Sequence, residues 1–221
     1  MKELEVSSLL DLDRTIAREI FSEVTYPWEV LPLIHDFVIR LGSTLPEDVF
    51  FRKGEDIWIA RSATIAKTAS ITGPCIIDEG ATLRPGAFVR GNVIVGKKTT
   101  VGNSTELKNV ILFDQVEVPH YNYVGDSVLG FKAHMGAGAI TSNVKNDKTN
   151  VVVKAGQEQF ETGLRKFGAI LGDWVQVGCN CVLNPGSVIG AQTNIYPLNS
   201  VRGYVPANSI YKEKDSIVPK E

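Results

Sequence analysis

From Ile59 onward an aliphatic side chain returns at every sixth position: Ile59, Ile65, Ile71, Ile77, Leu83 and so on to Leu107. Four positions after each stands a small or β-branched residue, beginning Ala63, Ala69, Cys75 and Ala81 and ending Thr99, Thr105 and Ile111. The residue directly after the aliphatic is often Gly, Ala or polar, as in VGKKTT and VGNSTE. The register returns at Leu129 and Met135 after a two-residue slip around PHYNYVGD (119–126), and again from Leu171 through Val177, Leu183, Ile189 and Ile195 to Val201. A six-residue unit is too short for a pair of helices, and its β-branched content suits short strands separated by turns. Repeats of this kind predict a solenoid in which each coil buries the face of its neighbour.

Two segments break the period. Residues 1–50 read as helical: DLDRTIAREIFSEV places Ile16, Ile20 and Phe21 on one face, and PWEVLPLIHDFVIRLG carries Trp28, Leu31, Ile34, Val38 and Leu41 at helical spacing before Gly42. That apolar face needs the flank of the solenoid or a neighbouring subunit. The repeat region is expected over 51–215, interrupted by a loop at about 142–170, with a tail at 216–221. Loops of that length in a compact domain are usually functional, and this one holds Lys145, Lys148, Lys154, Arg165 and Lys166; a solvated charged loop is the plainer reading.

Composition narrows the function. A net charge of -2 gives no electrostatic footprint for nucleic acid. The charged N-terminus lacks a signal-peptide core and no long apolar run spans a membrane, so a cytoplasmic location with no membrane partner is expected. Cys75, Cys179 and Cys181 are odd in number and form no C-x-x-C pair, which favours free thiols over disulfides or a thiolate metal site.

The hexads resemble those of the left-handed parallel β-helix, whose crossovers are an exception to the usual right-handed rule. The resemblance implies an all-β fold of triangular coils behind the N-terminal helical segment. LRPGA (83–87), VGNSTELKN (101–109), PHYNYVGDSVLG (119–130) and MGAGAITSN (135–143) sharpen it. They resemble, in order and spacing, the acetyltransferase domain of the bifunctional glucosamine-1-phosphate acetyltransferase and N-acetylglucosamine-1-phosphate uridylyltransferase enzymes. TGLRKFGAILGD (162–173) is most similar to the archaeal-type sugar-1-phosphate nucleotidylyltransferases, and YPWEVL (26–31) to the linker between their halves. No Gly-rich phosphate loop followed by a basic residue opens the chain, so nucleotidyl transfer is not expected of it. A separately encoded nucleotidylyltransferase is a conceivable partner.

Transfer of an acyl group to an amino sugar needs a proton acceptor near neutral pH, a task suited to histidine. His120 is the candidate; a turn histidine hydrogen-bonded at a corner is the alternative. Backbone N–H groups in a Gly-rich turn suit a tetrahedral oxyanion, which points to Gly136, Ala137 and Gly138, although corner glycines serve turns as well. The resemblance further implies that Ala137 faces acetyl-coenzyme A, that Asn143 holds the reacting groups, that Arg84 and Lys108 meet the sugar and its phosphate, and that Tyr123 contacts substrate. It places His134 where the common family member has Asn, and Lys148 close to a family lysine. Cys179, Tyr196 and Pro197 fall along the coenzyme A path with larger side chains, and Lys212 or Lys214, preferably Lys214, falls where the coenzyme's phosphate is met.

The expected activity is transfer of acetyl from acetyl-coenzyme A, as substrate, to the amine of an amino-sugar 1-phosphate or a nucleotide sugar such as a precursor of UDP-N-acetylglucosamine. No catalytic metal is expected, and the resemblance implies a homotrimer. A non-catalytic module for oligomerisation or sugar-nucleotide sensing is the competing reading. A metal hydratase on the same fold is disfavoured, because His35 lies in the helical preface and no pair of histidines is suitably spaced.

Overall fold

The computed structural model describes residues 1–214 and 216–220. Short parallel strands stack into a β-solenoid with three faces, and the inward aliphatics line one continuous core. The first face carries Ile57–Ala60, Cys75–Ile77 and Val93–Val95, the second Thr64–Ile65, Thr82–Leu83, Thr100–Asn103, Glu117–His120 and His134–Met135, and the third Ser70–Thr72 and Phe88–Arg90. Ile59, Ile77 and Val95 stack in register, as do Ile65, Leu83 and Val101. The corners need left-handed backbone. Between the second and third faces it is supplied by Gly86, Ser104, Tyr121, Gly138, Asn180 and Leu198, with φ from 52° to 75°.

The two-residue slip resolves into two shortened corners, neither at His120. Val118 and Val124 keep the full spacing of six, whereas Leu107 to Leu112 and Val124 to Leu129 span five. There Glu106–Leu112 and Tyr123–Leu129 run unbroken from the third face onto the first, turning at Asn109 (φ 54°) and Asp126 (φ 48°). The shortening also moves Ile111 out of the small-residue position: it pairs with Ile94 in the outward row, and Val110 takes the place beside Val93.

The first face is buried on both sides. Its middle residues, Ile76, Ile94, Ile111, Val128, Ile170 and Val188, point away from the core yet are all fully buried. The N-terminal segment covers them. It is less helical than the spacing suggests: DLDRTIAREIFSEV forms only the 3₁₀ turns Leu12–Arg14 and Arg18–Phe21, and Pro27–Leu33 is also 3₁₀. Only Ile34–Gly42 is an α-helix of any length. Contacts with the solenoid override local propensity here: the Asp114 N–H donates to Arg14 O (3.0 Å), the Asp173 N–H to Leu9 O (2.9 Å), and the Phe21 ring meets Phe113 edge-on at 5.8 Å.

The insertion is no open loop. Val152–Ala155 and Glu158–Glu161 form an antiparallel hairpin, and the Phe167 N–H donates to Asn143 O (3.0 Å) to close its stem. In the tail, Ser216–Pro219 pairs antiparallel with Ser209–Glu213 and caps the second face. The thiols are free, and burial pushes that of Cys75 up to about 12. No helix is long and apolar enough to cross a membrane among the described residues.

Candidate active site

Strand ladders and corner hydrogen bonds bring the candidate residues into two groups on either side of one corner. At the corner between the second and third faces, successive coils are tied by backbone bonds: Tyr121 N–H to Asn103 O (2.9 Å), Gly138 N–H to His120 O (3.0 Å), Asn180 N–H to Ala137 O (2.9 Å) and Leu198 N–H to Cys179 O (3.0 Å). Asn103, His120, Ala137, Cys179 and Pro197 therefore form one column, a coil apart at each step. Buried Asn122 fixes the His120 rung. Its Oδ1 accepts the His120 N–H (3.1 Å), and its Nδ2 donates to Gly136 O and Ala139 O (2.9 Å each). The His120 side chain is exposed, and its ring has no hydrogen-bond or ionic partner among the described residues.

The glycine turn beside it divides in a way the sequence did not show. The Gly136 N–H donates to Val177 O (2.7 Å) and the Gly138 N–H to His120 O, so neither is open to an oxyanion. Only the Ala137 N–H is unpaired in this turn among the described residues.

A second column runs along the outer surface of the second face: Arg84, Gly102, Pro119, Gly136, Gly178, Tyr196 and Lys212. The coils forbid side chains at its glycines. A Cβ on Gly102 would strike the Pro119 carbonyl, and one on Gly136 would lie 2.7 Å from Cys179 N. The result is bare backbone at Gly102 and, past Pro119, at Gly136 and Gly178, beside the His120 column and followed by the half-exposed Tyr196. Lys212, not Lys214, continues this stripe; Lys214 sits in the exposed turn after it.

On the third face, Lys108, Tyr123 and Asn143 converge on Asp126, which the sequence reading passed over. The Asp126 carboxylate is almost wholly buried. Its Oδ1 accepts Lys108 Nζ (2.9 Å) and Asn109 Nδ2 (3.0 Å), and its Oδ2 accepts Asn143 Nδ2 (2.5 Å). Asn143 Nδ2 also donates to the Tyr123 hydroxyl oxygen (3.2 Å). Burial, then the Asp126 charge, raises the Tyr123 phenol above its usual range, while the Asn143 bond opposes them. Asn109 ties the cluster to the N-terminal segment through Leu31 O (3.2 Å). The signal for Asp126 was the shortened corner, which sets its carboxylate beside Lys108, Asn109 and Asn143.

Three residues stand apart. His134 lies on the far side of the second face, where its Nδ1 meets Glu117 Oε2 at 3.0 Å. Lys148 is exposed in a turn of the insertion, its N–H bonded to Lys145 O. Arg84 and Lys108 occupy different faces, so one chain does not close a pocket around both.

A triangular-coil β-solenoid built on six-residue repeats, with a histidine corner beside a strip of bare backbone, defines the class. Residues 71–193 match the GMPPB C-terminal domain family, and the chain belongs to it. Over 216 residues it is 33% identical to the bifunctional protein GlmU of Methanococcus maripaludis (strain S2), covering 90% of this chain and 48% of that protein. Over 94 residues it is 37% identical to the bifunctional sugar-1-phosphate nucleotidylyltransferase/acetyltransferase of Sulfurisphaera tokodaii, covering 42% and 23%. The chain thus spans about half the length, or less, of these curated relatives. Among solved structures, a hexapeptide transferase family protein from Anaplasma phagocytophilum aligns with a TM-score of 0.43 at 17% identity, over 74% of this chain and 78% of that one.

Proposed function

We propose that the chain is a coenzyme A-dependent sugar N-acyltransferase, moving an acetyl group from acetyl-coenzyme A to the amine of an amino-sugar 1-phosphate or nucleotide sugar. The observation that carries this reading is the corner column, in which the exposed, unpartnered ring of His120 stands one coil from the open Ala137 N–H. Similarity to a protein named as a sugar-1-phosphate nucleotidylyltransferase/acetyltransferase supports it.

In this mechanism the neutral amine attacks the thioester carbonyl carbon, and His120 takes the proton the nitrogen sheds as the new C–N bond forms. The carbonyl electron pair moves onto oxygen, where the Ala137 N–H meets it. Collapse of the oxyanion breaks the C–S bond, and His120 returns its proton to the departing thiolate. The bare stripe of Gly136 and Gly178 gives an extended thioester arm a path without side chains. Asp126 holds Asn143 and Lys108 on the adjoining face, where they and Tyr123 bind the acceptor. Arg84, on the other face, reaches that site across a homotrimer interface, so that the acceptor lies between copies. Incubation with acetyl-coenzyme A and glucosamine 1-phosphate, followed by mass spectrometry, tests the reading. N-acetylated product supports it; thermal stabilisation by a sugar nucleotide with no product would instead favour a sensing module.

A further inference from the structure

The second face has another corner, where it meets the first, and the mechanism above uses nothing there. Its column consists of Gly80, Lys98, Gln115, Lys132, Trp174 and Gln192, all with φ between 55° and 66°. Trp174 is the odd member. It is bulky in left-handed backbone, where large side chains are rarely found, and its indole is 46% exposed. The ring is nonetheless held firmly: Phe131 meets it edge-on at 5.5 Å, and Lys132 Nζ lies 4.1 Å from its centre.

Two cavities share this indole as a wall. One, of about 340 Å³, adds Lys98, Gln115, Glu117, Lys132, His134 and Gln176; the other, of about 320 Å³, shares Gln176 and adds Gln192 and Lys220. Each is of a size that small-molecule sites occupy. The Lys220 ammonium is aimed by Gln192 O and Asn194 Oδ1, both at 3.2 Å. The acid in the first cavity's lining, Glu117, is engaged by His134. An exposed aromatic plane, flanking ammonium groups and a set of side-chain amides make up a recognisable set. A hydrocarbon would leave the lysines and amides unpaired, and a bare phosphate would leave the indole without a role.

We propose that the Trp174 corner is a binding site for a nucleoside phosphate. The base stacks on the indole, Gln176 and Gln192 read its edge, and Lys220 holds the phosphates. The site lies across the second face from His120 and does not depend on acyl transfer.

Trp28 and Trp58 are buried, so intrinsic fluorescence quenching reports chiefly on Trp174. Titration of the whole chain with UDP, GDP, ADP and, separately, pyrophosphate is the test, with calorimetry for the variants. Saturable quenching by at least one nucleotide is expected, at least tenfold tighter than pyrophosphate. Calorimetric affinity should fall at least tenfold in both Trp174→Ala and Lys220→Met, at unchanged melting temperature. The proposal is overturned if no nucleotide binds, if Trp174→Ala binds as wild type does, or if pyrophosphate binds equally well. It is also overturned if Trp174→Ala only lowers the mass seen by light scattering, since the indole would then serve contacts between copies.

Discussion

The first and second faces of the solenoid are built from the same six-residue unit but present opposite surfaces. Outward positions on the first face from Ile76 to Val188 are Ile or Val, fully buried beneath the N-terminal segment, with Trp58 and Tyr204 at the two ends of the row. On the second they are Thr, Glu, His, Gln and Asn in one row, and in the next Gly102, Pro119, Gly136 and Gly178 between Arg84 and Tyr196. The inward ladder secures the fold on both faces, so outward residues on the second are free to serve ligands. The first face spends that freedom on holding the N-terminal segment in place.

Ile94→Ala tests this contrast most severely. Ile94 lies outside the core ladder yet is fully buried, so the substitution is expected to cost about 2–5 kcal/mol in urea unfolding, as a core deletion would. A loss below about 0.5 kcal/mol would show that the segment does not depend on this face. Asp126→Ala comes next. It strips Lys108 and Asn143 of their shared acceptor, and a loss of about 1–3 kcal/mol is expected, with part of the Lys108 charge rehydrated because that side chain is partly exposed. The KM for acceptor should rise with it; stability and KM both at wild-type values would refute the cluster as an organising element.

A pH effect of similar size is expected under the first face. Asp78 is fully buried, its Oδ1 accepts the Glu79 N–H (2.7 Å), and its Oδ2 has no partner among the described residues. Burial, only partly opposed by that bond and by Lys97, pushes its carboxyl up to about 6. The folded state therefore holds this proton more tightly than the unfolded chain, and stability falls as pH rises from about 4 through 6. Asp78→Asn should be more stable than wild type at pH 7.5 by roughly 1–3 kcal/mol, and the gain should vanish below about pH 4. A gain that did not change with pH would mean that the proton is not its source. The smallest effect is predicted for the second face, where Thr100→Ala should change unfolding free energy by no more than about 0.5 kcal/mol.

The same contrast explains what could be read from the chain. The period of six was legible from Ile59 to Val201 because the inward ladder repeats one physical demand in every coil. The cover of the first face was legible too, in the unbroken apolar triplets CII (75–77), VIV (93–95) and AIL (169–171), but alternation alone did not draw attention to them. The N-terminal segment misled because its apolar spacing fits a helix, while packing against Phe113 and the Asp114 and Asp173 backbone selects 3₁₀ turns. His120, Lys108, Tyr123 and Asn143 were named from motif resemblance, and Asp126, in the same motif, was missed because a carboxylate's role depends on the corner that sets it beside Lys108, Asn109 and Asn143. That Ala137 has an open N–H while Gly136 does not follows from which carbonyls the next coil presents, and no sequence pattern encodes that directly.

The claim that the second-face corner performs the chemistry is tested most directly by thiol release from acetyl-coenzyme A in the presence of glucosamine 1-phosphate. Wild type should release thiol only when the sugar is present. His120→Ala should be slower by about 100-fold or more at an unchanged melting temperature, as loss of a general base requires. Equal rates in the two proteins would remove His120 from the mechanism and contradict the account.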